Sequence, residues 1–154
     1  AFERAKAYLE KMGKNIFHAG ASGNGQAAKI ANNMLLGISM IATSEAFNLA
    51  EKLGLDAQTF FDISSKASGQ CWSMTSYCPA PGPVPNAPSN KGYKPGFAVA
   101  MMLKDMRLAD GAAKGVDAKT PLADLAGKMY ADLDEKGHGG MDFSFVMKRI
   151  RGEA

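Results

Sequence analysis

Along most of this chain, hydrophobic and polar positions alternate with a helical period, and one stretch dominates the pattern. From Gly20 to Lys52, GASGNGQAAKIANNMLLGISMIATSEAFNLAEK, three glycines open onto about 28 residues without a proline, predicted to form one helix from about Asn24 to Lys52 that would span roughly 42 Å. Its apolar residues, among them Ala27, Ile30, Met34, Leu35, Ile38 and Ile41, do not keep to one stripe but surround the axis. A helix apolar all round is buried on all sides. Asn32, Asn33, Ser39, Thr43, Ser44 and Glu45 interrupt it too often for a membrane span, so it is predicted to run through a protein core or a subunit interface.

Shorter elements flank it. Phe2, Ala5, Tyr8, Leu9 and Met12 recur at helical spacing with Gly13 as the stop, and Ile16 and Phe17 mark a short strand from Asn15 to His18. One helix and one strand cannot close a sheet, so residues 1–19 are expected to be the last helix and strand of another domain. Beyond the long helix, Gly54 and Leu55 form a C-terminal cap, and Asp56 caps a helix from Ala57 to about Lys66. A helical turn is expected between Cys71 and Tyr77, followed by an irregular loop that Pro79, Pro81, Pro83, Pro85, Pro88 and Pro95 impose. Trp72, Tyr77 and Tyr93 suggest that this loop packs; it reads equally as a rigid surface excursion. A third main helix runs from about Phe97 to Lys114, with Phe97, Met101, Leu108 and Ala112 facing the core and Lys104 and Asp105 midway, read as an ordinary solvated pair. Thr120 caps a helix that begins at Pro121 and ends at Gly137, and Asp142 caps the last, Phe143 to Arg151.

Composition narrows the class. A chain of 154 residues with 46% hydrophobic and 21% charged residues can bury one core, which argues for one ordered domain, and its helical segments make the expected class all-α. The net charge of +3 is scattered apart from Lys148, Arg149 and Arg151, so nothing tracks a phosphate backbone, and neither nucleic acid nor membrane is an expected partner. Cys71 and Cys78 follow no signal-peptide pattern and read as reduced thiols of an intracellular protein. The two histidines, His18 and His138, lie far from them in sequence, too few ligands for a zinc site, so no metal is expected.

Candidate chemistry collects at the start of the long helix. Lys29 and Asn33 are four residues apart and emerge on one face about one turn from each other. A buried lysine is costly unless something uses it; a lysine in the first turns can equally carry its ammonium to solvent past an apolar stem. Gly23-Asn24-Gly25-Gln26-Ala27-Ala28 matches G-x-G-x-x-A, but a dinucleotide fingerprint needs a second strand ending in an acidic residue about 20 positions on, where Glu45 lies inside the helix. What remains is a glycine-rich helix N-terminus that lets the backbone approach an anion such as a carboxylate, or else a plain tight turn.

Together these residues resemble the C-terminal domain of the β-hydroxyacid dehydrogenase family. The family pattern G-x-x-G-x-G-x-x-x-K-x-x-x-N is present as Gly20, Gly23, Gly25, Lys29 and Asn33. The stretches SGQCWSMTSYCPAPG, from Ser68 to Gly82, and GFAVAMMLKDMRLA, from Gly96 to Ala109, look typical of its hydroxyisobutyrate branch. The resemblance implies an all-α bundle like the C-terminal domain of 6-phosphogluconate dehydrogenase, residues 20–154, behind the end of a Rossmann domain that would carry most of the NAD site. It implies Lys29 as the general acid/base, Gly25 and Asn33 as substrate contacts, and Lys104 as a cofactor contact. The implied reaction is NAD-dependent oxidation of 3-hydroxyisobutyrate in valine catabolism, with tartronate semialdehyde reduction as the enzymatic alternative. It further implies a homodimer or homotetramer, in bacterial cytoplasm or a mitochondrial matrix, and no activity for these residues alone. The noncatalytic alternative is an oligomerisation module.

Overall fold

The computed structural model describes residues 2–154. Among the described residues seven α-helices form: α1 (Phe2–Leu9), α2 (Asn24–Lys52), α3 (Ala57–Ser64), α4 (Trp72–Thr75), α5 (Val99–Gly115), α6 (Pro121–Leu133) and α7 (Val146–Ile150). The expected architecture holds: α2, 29 residues long, is the axis, and α3, α4, α5, α6 and α7 all pack on it. The strand expected at Asn15 to His18 does not form, and among the described residues the one β-bridge joins Ala98 to Asp142. An extended segment with no neighbour has nothing to complete its ladder hydrogen bonds. Instead, His18 stacks on Phe2 at 4.6 Å and ties α1 to the segment before α2.

Local chemistry explains where α2 begins and stops. Gly23 enters it in the left-handed region, φ 94°, which a side chain would resist. At the far end the Leu55 N–H reaches the Ala50 carbonyl at 2.9 Å and the Gly54 N–H reaches Glu51 at 3.0 Å, the paired bonds of a Schellman cap with Gly54 at φ 91°. Arg151 beyond α7 ion-pairs with Glu51 and holds the C-terminal tail against this end.

Within this chain α2 is covered over only part of its length. Its buried positions are Gly37, Met40, Ile41, Thr43, Ser44, Phe47 and Ala50, all from the helix midpoint region onward, whereas most residues before Gly37 are exposed. Before Gly37, α5 meets α2 at Asn33, whose amide bonds to Asp105, and the closest packing comes at Gly37. There the carbonyl of Gly37 accepts from the buried Tyr130 hydroxyl at 3.1 Å, and a β-carbon would lie 2.8 Å from the Met106 sulfur. Glycine lets α5 and α6 approach the axis. Thr43 and Ser44 satisfy their buried hydroxyls within the helix, donating to the Ser39 and Met40 carbonyls at 2.7 and 2.8 Å.

The core face of α5 also differs from its expected phase. Val99, Met102, Leu103, Met106, Ala109 and Ala113 face inward, while Met101, Leu108 and Ala112 are exposed. Both stripes are apolar in sequence, so composition cannot separate them. Asp105 lies on the inward side.

The proline-rich loop is packed. Tyr93, at φ 57°, is buried and donates its hydroxyl to the Pro79 carbonyl at 2.8 Å; Ser89 donates to Cys78 at 2.7 Å, and Asn90 bridges Gly82 and Val84. Gly137, at φ 85°, ends regular α6 geometry inside a wide turn, Asp134–His138. Thr120 stands at the start of α6 without the side-chain cap bond expected of it, whereas Asp142 does cap, accepting from the Ser144 N–H at 3.0 Å.

Candidate active site

Lys29 and Asn33 project from the exposed half of α2 into one cavity of about 320 Å³, which Gln26, Ile30, Asp105 and Leu108 complete. Helical spacing brings the first pair together, and the packing of α5 across α2 supplies the rest. Lys29 is exposed, its ammonium reaching solvent beside the helix.

The centre of the arrangement is a residue read from sequence as half of an ordinary solvated pair. Asp105 is only 6% exposed, and its Oδ2 accepts the Asn33 Nδ2–H at 2.6 Å. On the other oxygen, Lys104 Nζ stands 3.6 Å away with its side chain half exposed. Because a carboxylate only accepts, Asp105 sets the orientation of the Asn33 amide. Asn32 Nδ2 then donates to Asn33 Oδ1 at 3.2 Å, leaving one amide hydrogen and one carbonyl lone pair of Asn33 for another molecule. The position of Asp105 on the apolar side of α5, between Met102 and Met106, is the signal that could have revealed it.

The structure thus joins Lys29, Asn33 and Asp105 in one cavity and connects Lys104 to it through Asp105. Gly25 does not line that cavity; it sits in the first turn of α2 with no atom within 4 Å of where a β-carbon would be. A larger cavity of about 460 Å³ opens on the neighbouring side of α2, between Asn32, Leu36, Ser39 and Cys71, Trp72 and Ser73. It lacks a titratable group of the lysine or carboxylate kind, so the smaller cavity is the better candidate for proton transfer. Among the described residues no group of three or more His, Cys, Asp or Glu converges as metal ligands. Cys71 and Cys78 are free thiols, and burial pushes the Cys78 thiol up to about 11.

A helical domain that presents an ammonium, an oriented amide and a buried carboxylate in one small cavity is suited to handling a small polar molecule. Comparison with known proteins gives the family. Residues 23–150 match the family described as the NAD-binding domain of NADP-dependent 3-hydroxyisobutyrate dehydrogenase. The probable 3-hydroxyisobutyrate dehydrogenase of Mycobacterium tuberculosis is 48% identical over 98% of this chain and 51% of its own length. The mitochondrial 3-hydroxyisobutyrate dehydrogenase of Drosophila melanogaster is 47% identical over 99% of this chain and 47% of its own. The solved M. tuberculosis 3-hydroxyisobutyrate dehydrogenase with L-serine superposes with a TM-score of 0.92 at 47% identity, over 97% of this chain and 51% of that one. The chain belongs to the 3-hydroxyisobutyrate dehydrogenase NAD-binding domain family, and it spans about half the length of the curated relatives it matches.

Proposed function

We propose that this chain is the helical half of an NAD-dependent 3-hydroxyisobutyrate dehydrogenase and that Lys29 is its general acid/base. The observation that carries this reading is the shared cavity of Lys29, Asn33 and Asp105, inside a segment that matches the dehydrogenase family. In this reading the segment before Gly20 is the end of a preceding cofactor domain, and residues 20–154 are the catalytic and dimerisation domain; the doubled length of the relatives supports it.

The residues present fit one end of a nicotinamide cofactor and a small hydroxy acid. Cavities that hold small ligands begin at about 300 Å³, and here apolar Ile30 and Leu108 alternate with Lys29, Asn33 and Asp105. NAD, when bound, supplies the acceptor for the hydride that leaves the alcohol carbon. Lys29 Nζ, as the free amine, takes the hydroxyl proton; in the opposite direction its ammonium returns one to the nascent alkoxide. Asn33 donates its remaining amide hydrogen to the substrate, held in that orientation by Asp105. Lys104, ion-paired with Asp105 but half exposed, is free to extend toward the cofactor. Gly25 lets the start of α2 approach the substrate carboxylate. The presence of L-serine in the solved relative supports a β-hydroxy acid, since serine carries its hydroxyl on the carbon next to the α-carbon, as 3-hydroxyisobutyrate does.

Assaying the intact enzyme on 3-hydroxyisobutyrate and on tartronate semialdehyde tests the assignment; a preference for the second substrate would replace it with the reductase reading. In the proposed enzyme this chain also forms the homodimer or homotetramer contact, because Leu35 and Leu49 of α2 and Leu53 just beyond its end are more than half exposed. That same observation favours the second reading, an oligomerisation module without turnover of its own. No described helix is long and apolar enough to cross a membrane. A mitochondrial setting accords with the names of eukaryotic relatives, and the bacterial cytoplasm is the alternative.

A further inference from the structure

One fully buried charged group lies outside the chemistry described so far. Asp142 is 0% exposed, and its two oxygens do different work. Oδ1 caps its own turn, accepting from the Ser144 N–H at 3.0 Å and the Ser144 hydroxyl at 2.6 Å. Oδ2 accepts from three donors in two other segments: the Tyr77 hydroxyl at 2.8 Å, the Gly96 N–H at 2.9 Å and the Phe97 N–H at 3.1 Å. Gly96 and Phe97 lead into α5, which carries Lys104 and Asp105. Tyr77 stacks on Trp72 with ring centres 5.0 Å apart and planes 20° apart, and Trp72, half exposed, forms a wall of the larger cavity beside Asn32.

Capping one turn would need only Oδ1. The three donors on Oδ2 join the entry to α5 to the aromatic pair, so that the two sides of α2 are held in one register. Gly96 fits the same geometry: a β-carbon there would lie 2.5 Å from the Tyr77 hydroxyl oxygen and 3.7 Å from Asp142 Oδ2. The glycine leaves room for tyrosine to reach the carboxylate. In the larger cavity, the Ser73 hydroxyl is buried without a hydrogen-bond partner, a donor that a bound molecule could satisfy.

We propose that Asp142 is a positioning residue for the dehydrogenase site, fixing the Trp72–Tyr77 stack and the start of α5 relative to Asn33 through its Oδ2. This rests on the proposed dehydrogenase function. The carboxylate touches no reacting atom; it acts through Tyr77, Gly96 and Phe97. Geometry held within fractions of an ångström is what such a site requires, and loss of a support outside it is felt as misplacement of the groups within.

Three substitutions separate positioning from folding. Asp142→Asn cannot present a carboxylate oxygen to both sets of donors; Tyr77→Phe removes a single bond and keeps the ring; Gly96→Ala pushes Tyr77 away while leaving Asp142 intact. Trp72 is the sole tryptophan, so its emission reports the stack directly. In folded variants of unchanged far-ultraviolet circular dichroism, Asp142→Asn and Gly96→Ala are expected to raise acrylamide quenching of Trp72 and reduce its near-ultraviolet dichroism. In the intact enzyme, Tyr77→Phe and Gly96→Ala should lower kcat/KM for the hydroxy acid about tenfold with less than about a twofold change in KM for NAD. Should Asp142→Asn fail to fold, the other two decide. Unchanged Trp72 signals, or unchanged turnover of the hydroxy acid in variants of an active enzyme, would overturn this inference alone. Absence of turnover in the unsubstituted enzyme would overturn the functional reading and this inference with it.

Discussion

The amide of Asn33 and the carboxylate of Asp105, 72 residues apart in the chain, meet at 2.6 Å and join the two longest helices at the candidate site. A hydrogen bond to a charged, largely buried acceptor is worth about 1.5–3 kcal/mol, while loss of either partner also exposes or strands the other. A double-mutant cycle with Asn33→Ala and Asp105→Ala, measured on this chain by urea unfolding, should therefore give a coupling of about 1–2 kcal/mol. In the intact enzyme, the two changes together should cost little more turnover than the worse of them alone. Additive effects on both stability and rate would mean that the two side chains act independently.

Two glycines of α2 should respond to alanine in opposite ways. At Gly37 a β-carbon would come within 2.8 and 3.0 Å of the Met106 and Met102 sulfurs, both side chains being buried. Helix propensity returns about 1 kcal/mol, but overpacking costs about 1–3 kcal/mol, so Gly37→Ala should lose on the order of 1 kcal/mol. Gly25 has open space around it, and Gly25→Ala should leave the stability of this chain unchanged or higher. If Gly25 meets the substrate, the same substitution should raise KM for the hydroxy acid in the intact enzyme. Thermal unfolding and steady-state kinetics read the two effects separately.

Alkaline pH should destabilise the fold from a defined point. Burial raises the Cys78 thiol from 9.0 to about 11 and the Tyr93 phenol from 10.0 to about 12, and it also raises Tyr77 and Tyr130. Between the ordinary value and the raised one, the unfolded chain has released a proton that the folded chain still holds. Unfolding free energy therefore falls as pH rises from about 9 through about 12. Chemical denaturation at intervals of one pH unit should show a decline beginning near 9, and Cys78→Ala should reduce its early part. A flat profile to pH 11 would contradict the buried, protonated state of these groups.

Much of this arrangement was legible in sequence because it depends on local rules. The long proline-free run gave α2 to its ends, Gly54 and Leu55 gave its cap, and Lys29 with Asn33 gave one wall of the cavity through helical spacing alone. What failed depended on contacts distant in the chain. The apolar circumference of α2 carries no information about which half will be covered, and the competing stripes of α5 differ only in where α2 and α6 lie. For the same reason Asp105 looked like half of a surface pair beside Lys104: its burial and its bond to Asn33 exist only once α5 crosses α2. The strand at Asn15 to His18 had the right residues but no neighbouring strand, and residue type cannot supply one.

Lys29 is the decisive residue for the proposed chemistry. In the intact enzyme Lys29→Ala should reduce kcat by ~10²–10⁴-fold, the usual contribution of general acid–base catalysis, because alanine removes the proton acceptor and is the best helix former. Its exposure means that no core contact is lost, so the stability of this chain should change by less than about 0.5 kcal/mol. Asn33→Ala should have a smaller effect that falls partly on KM, since in the proposed mechanism the amide orients the substrate and transfers no proton. Lys104→Ala should raise KM for NAD if its half-exposed ammonium meets the cofactor. The pH profile of the Lys29→Ala enzyme should also lose the ionisation of the base. Near-normal turnover with an unchanged pH profile would assign the proton transfer to another group and leave α2 as a scaffold.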